Sequence, residues 1–142
     1  MSYAAPPRRY ASRSVGSYAK IGLETEVLSA SPEQLITLLF NGARAAILQA
    51  KLHMQNNNIA ARGQAISKAI DIVDTGLKLS VDTEKGGELA NNLIVVYDII
   101  IHNLMLANLH NDSEKLSLAE RLLIDISDAW KTSVDSKRTA ES

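Results

Sequence analysis

The chain has 142 residues, a net charge of −1, three histidines and no cysteine. A chain of this size buries roughly 70% of its unfolded surface, so one domain holds without a disulfide or metal staple, and thiolate ligands and thiol nucleophiles are excluded outright. Near-neutral charge gives no reason to expect nucleic acid or an acidic membrane as partner.

Residues 1–17 contain Pro6-Pro7, serines and arginines with little to bury, and are expected to be a disordered tail. Arg8, Arg9, Arg13 and Lys20, all ahead of the first acidic residue Glu24, read as solubilising charges. No secretory signal core and no unbroken run of about 20 apolar residues is present, so membrane insertion is not expected and the cytoplasm is the expected location. Over 17–29, Tyr18, Ile21 and Val27 have the spacing of a short partial helix. Ser31-Pro32-Glu33-Gln34 then opens the first long helix, expected over about 32–56. Ser31 is an N-cap, Pro32 occupies the position whose amide has no partner, and Gln34 can close a capping box. Leu35, Leu39, Gly42, Ala43, Ala46, Ala50 and Met54 trace its inner face, with Leu38 and Ile47 beside it.

Asn56-Asn57-Asn58 breaks the chain before a second helix at about 59–81, whose stripe is Ile59, Ile66, Ile70, Val73 and Leu77. Lys85-Gly86-Gly87 marks a turn, a third helix follows over about 88–110, and a fourth over about 113–134 through Leu116, Leu123, Ile126 and Trp130. Residues 135–142 read as a second disordered tail. Four helices with short connections and no strand-like alternation predict an all-α antiparallel four-helix bundle over 18–134.

The third helix is too apolar for a bundle helix. From Leu89 to Leu109, fifteen of twenty-one residues are apolar and Asp98 is the only charged one. A core stripe needs about nine positions in that length. At about 100° per residue, Leu89, Leu93, Val96, Tyr97, Ile100, Leu104 and Ala107 form that stripe. Val95, Ile99 and Leu106 form one surplus flank, and Ile94, Ile101 and Met105 the other. Two explanations remain open: neighbouring elements enclose both flanks, or one flank receives another apolar chain.

Catalytic patterns are missing. None of His53, His102 and His110 follows a glutamate by three residues, and no phosphate-binding glycine loop or nucleophile elbow occurs. Asp98 and His102, one turn apart, read as a solvated pair, and no cofactor is expected.

"ASPEQLITLLFNGA" (30–43), "VYDIIIHNLMLAN" (96–108) and "NDSEKLSLAERLLIDISDAW" (111–130) resemble the flagellar export chaperone family FliS, a similarity that extends over about 18–134. Ala30, Ser31, Pro32, Leu35, Leu39, Gly42 and Ala43 match its first motif; Phe40 and Asn41 stand where the family carries tyrosine and an acidic residue. Tyr97, Asp98, Leu104, Ala107 and Asn108 match the second, and Ile99 replaces a second aromatic. The resemblance implies a non-enzymatic chaperone that binds the C-terminal segment of flagellin, holds it back from polymerising and brings it to components of the export gate. It implies Tyr18, Ile21 and Val27 as a displaceable cover, and Leu38, Phe40, Asn41, Val95, Ile99, Asn103 and Leu106 as the partner-binding surface. A self-associating helical adaptor, at the weakest a loose homodimer, is the alternative use for the same flanks.

Overall fold

Ser31 starts the first helix as a capping box. Its hydroxyl accepts from the Gln34 amide at 3.2 Å, and Gln34 Oε1 accepts from the Ser31 amide at 2.8 Å, ahead of Pro32. The computed structural model describes residues 30–141, and α1 runs Pro32–Gln55 within it. The Tyr18, Ile21 and Val27 segment and the tail at 1–17 lie outside the described residues. Asn57, with φ 56°, takes the left-handed conformation that asparagine tolerates, and Asn58 caps the next helix through its side chain.

The second helix is three geometries in series: α2 (Ile59–Asp71), a π-helical turn (Ile72–Leu77) and a 3₁₀ turn (Lys78–Ser80). The wide turn seats Gly76 against α1, where a Cβ would come within 2.9 Å of Leu39 Cδ2. Thr75 and Ser80 hydroxyls donate to the Asp71 and Gly76 carbonyls, both at 2.6 Å.

Asp82 caps α3 (Thr83–His110), accepting from the Glu84 and Lys85 amides. A kink at Gly87 (φ 57°, ψ −131°) separates one opening turn from the helix proper, as the glycine pair predicts. The kink also overturns one core assignment: Leu89 is 78% exposed, and the buried stripe is Tyr97, Ile100, Leu104 and Ala107, with Leu93 and Val96 packed at its edge. Ile59, at the first position of α2, is likewise exposed rather than core.

Left-handed Asn111 ends α3, and Asp112 Oδ1 accepts from the Glu114 and Lys115 amides to start α4 (Ser113–Glu141). The tail expected over 135–142 is therefore helical through Glu141. No glycine or proline interrupts this stretch, Thr132 and Thr139 hydroxyls bond back one turn at 3.0 Å, and Lys137 Nζ lies 3.6 Å from Glu33 of α1.

The all-α bundle has α1 beside α2 and α4, with α3 beside α4 and α2, so α1 and α3 face each other across a diagonal. Lys51 pairs with Glu120, Thr37 accepts from Trp130 Nε1 and Glu33 meets Lys137, so numbers rise in α1 as they fall in α4 and the two are antiparallel. Leu39, Ile47, Ile66, Ile72, Leu77, Ile100, Leu104, Leu116 and Leu123 fill the centre, and Ala43, Ala46, Ala65, Ala69 and Ala119 let the helices approach.

Candidate functional site

The two flanks of α3 have different fates. On one side, Ile94 and Ile101 are half-buried, while Met105, the third residue of that flank, is 55% exposed. Arg62 and Lys78 reach across from that side to Asn108 and Asp98. On the other side, Val95 is 55% and Ile99 44% exposed, with Leu106 half-buried one row further along. Leu109, also exposed, carries the apolar surface to the end of the helix. Side chains of this size each gain about 1.5–3 kcal/mol on full burial, so the ridge has substantial unspent affinity for an apolar partner.

The other candidate residues do not gather on this ridge. Leu38 is half-buried and Asn41 exposed, but both lie on α1, across the diagonal from α3. Phe40 is a core residue at 3% exposure, because it shares the inward face with Ile47, two turns on. Asn103 is also inside, at 6% exposure, since it lies seven residues past Val96 on the inward side; its Nδ2 donates to the Ile99 carbonyl at 2.8 Å. Neither presents a surface to a partner in this conformation. The outer side of α1 instead exposes Leu48 and Leu52, which the motifs did not single out.

Asp98 does not pair with His102. Its Oδ1 lies 2.7 Å from Lys78 Nζ, tying the end of the second helix to α3 and raising the Lys78 pKa, chiefly through that hydrogen bond. Tyr97 beside it is buried, and desolvation pushes its phenol up to about 12. The neutral phenol is the form the fold favours. Its contribution to stability is therefore complete below the unfolded value near 10 and disappears as pH rises through about 12. The difference in alkaline ultraviolet titration between this chain and its Tyr97→Phe variant is expected to isolate one phenol ionising near 12; a midpoint near 10 would place the ring in water.

Arg62 was not legible as a site. It is 8% exposed with no carboxylate partner among the described residues, and its guanidinium instead closes the C-terminal end of α3. Nε donates to Asn108 Oδ1 at 3.3 Å, one terminal nitrogen to the Asn108 carbonyl at 3.0 Å, and the other to Asn111 Oδ1. A cation at that end also meets the negative pole of the helix. The available signal was an arginine three residues after Ile59 and four before Ile66, inside an apolar stripe. Beside this clamp, α2 and α3 part to leave an open groove of about 550 Å³, lined by Ala60, Gly63, Gln64, Ser67, Asp71 and Asn108.

Among the described residues no group of three histidine or acidic side chains is placed to hold a metal ion. The same residues contain one helix, α3, long and apolar enough to cross a membrane by composition, although its Tyr97, Ile100, Leu104 and Ala107 form bundle core. What the arrangement offers is an exposed apolar ridge on one side of α3 and an open polar groove along α2 on the other.

Comparison with known proteins places the chain in a family. The family model for flagellar protein FliS matches residues 14–137. The flagellar secretion chaperone FliS of Salmonella typhimurium is 46% identical over 122 residues, covering 86% of this chain and 90% of its own length. That of Escherichia coli K12 is 44% identical over 125 residues, covering 88% and 92%. The Bacillus subtilis protein of the same name is 28% identical over 115 residues, covering 81% and 84%.

Proposed function

This chain belongs to the FliS family of flagellar secretion chaperones, and from that premise we propose that it binds the C-terminal segment of flagellin through the α3 ridge. The observation that carries the reading is an exposed apolar row on α3: Val95 and Ile99 stand open beside Leu106, on the side away from the Arg62 and Lys78 contacts. An amphipathic client helix laid along this row buries apolar surface on both partners and is withheld from self-assembly while bound. Ordering a disordered tail costs entropy, which a long apolar contact offsets without any nucleotide. Binding takes place in the cytoplasm, before delivery to the flagellar export gate.

The reading requires a 1:1 complex with flagellin that disappears when flagellin's C-terminal segment is deleted. Co-purification and calorimetry with the full-length and truncated clients check this, and undiminished binding of the truncated client would refute it. The exposed Leu48 and Leu52 on α1 favour one competing use of apolar surface, self-association. Sedimentation of the chain alone separates the two: a stable dimer that excludes flagellin supports the second.

A further inference from the structure

We propose that His102 is a specificity-determining residue of the ridge: the client helix covers it as a neutral imidazole, so capture expels a proton and selects an uncharged client side chain at that register. This rests on the flagellin reading and deepens it, adding a chemical condition to a surface otherwise described by its apolar area.

Helix register carries the placement. His102 is exposed and stands midway between Val95 and Leu109, seven residues from each. At about 100° per residue its direction lies within about 20° of both and about 40° from Leu106. Ile99, three residues before it, and Leu106, four after it, are its neighbours on the helix surface. A client helix that covers Val95, Ile99 and Leu106 together therefore lies over the imidazole as well.

The surroundings decide which form of the ring goes under. On α3, Asp98 is one turn before His102 and His110 two turns after it, and Asp98 Oδ1 is already held 2.7 Å from Lys78 Nζ. From the second helix, packed against α3, Lys68, Asp71 and Asp74 are the other charges along this stretch, and Arg62 is engaged by Asn108 and Asn111. From α4, packed against it as well, come Lys115, Arg121 and Asp125. Among the described residues no carboxylate lies within ion-pairing distance of the ring, and His102 makes no side-chain hydrogen bond. In water either form of the ring is satisfied. Beneath an apolar client the imidazolium would be a charge without a counter-ion, whereas the neutral ring needs only an acceptor for its N–H. A client carboxylate at that register would draw the proton in and reverse the sign.

Calorimetric titration with the C-terminal segment of flagellin, from about pH 5.5 to about 8.5, tests this on the native chain and on His102→Gln. The two proteins share every other titrating group, so the difference between their profiles isolates the ring. Expelling one proton gives the native chain an affinity that is level at the alkaline end. Below about pH 6.5 it falls by up to about tenfold per unit relative to His102→Gln. Repeating the acidic titration in buffers of different ionisation enthalpy counts the proton directly: up to about one released per complex by the native chain beyond that of His102→Gln. Both melting temperatures should agree within a few degrees, because the side chain is exposed in the free protein. If the native chain binds flagellin with the same profile as His102→Gln, or gains affinity relative to it in acid, the role of His102 is overturned while the ridge reading stands. If the native chain binds no flagellin at any pH, both fall.

Discussion

Val95→Asp is expected to weaken flagellin binding by about a hundredfold or more while leaving the free chain folded. Val95 is 55% exposed on an outer face of α3, so in the free protein the new carboxylate stays in water. Valine and aspartate have similar helix propensities, and the like charge one turn on in α3 is Asp98, so the stability change should stay below about 1 kcal/mol. In the complex the same carboxylate lies under an apolar client helix without a counter-ion, which is where the loss arises. Isothermal titration gives the affinity and a thermal melt the stability. A melting temperature that falls in step with affinity would make Val95 part of the core and remove the ridge.

Leu39→Ala and Gly76→Ala are each expected to destabilise the bundle, by about 2–5 and about 1–3 kcal/mol respectively, and to do so non-additively. Leu39 is fully buried, and its truncation leaves a cavity under the π-helical turn. Alanine at Gly76 puts a methyl group 2.9 Å from Leu39 Cδ2 and 3.2 Å from Cδ1, contacts that a packed core relieves only by shifting. In the double variant those carbons are gone and the alanine methyl refills part of the space. The double variant should therefore be more stable than the sum of the singles predicts, by about 1–2 kcal/mol. Urea unfolding of the four proteins measures the cycle, and strict additivity would mean that Gly76 is not placed by Leu39.

Sequence patterning exposed most of the architecture because its signals are local. Ser31, Pro32 and Gln34 specify a helix start by chemistry that needs no tertiary context, and Asn56-Asn57-Asn58 and Asn111-Asp112 mark turns for the same reason. The inward register of α3 is legible at Tyr97, Ile100, Leu104 and Ala107, where the helix is regular. It fails at Leu89, which directly follows the Gly87 kink and its opening turn, because a periodicity argument assumes unbroken winding. The π-helical turn is invisible to a periodicity argument for a related reason, and its Gly76 lies against Leu39 of another helix. The last two turns of α4 were missed because a polar stretch carries no apolar stripe, yet a pairing with Glu33 helps hold it.

The surplus on α3 was visible as a count, but which flank stays open depends on where α2 packs. Phe40 and Asn103 sit in motifs shared with the family and are nonetheless buried, so a matching motif located them without saying which way they face. Arg62 and Asn108 are 46 positions apart, and nothing in either local pattern points to the other. The clamp they form exists only because two helices cross there.

The bonds that close the bundle join its first described helix to its last: Lys51 to Glu120, 69 positions away, and Thr37 to Trp130, 93 positions away. On the ribosome, then, the opening hairpin emerges with its greasy inner side uncovered and waits for the final segment before it can shut. Long-range closure of this kind slows folding and leaves a nascent half-molecule prone to sticking. A member of a secretion-chaperone family thus passes through an aggregation-prone moment in its own synthesis.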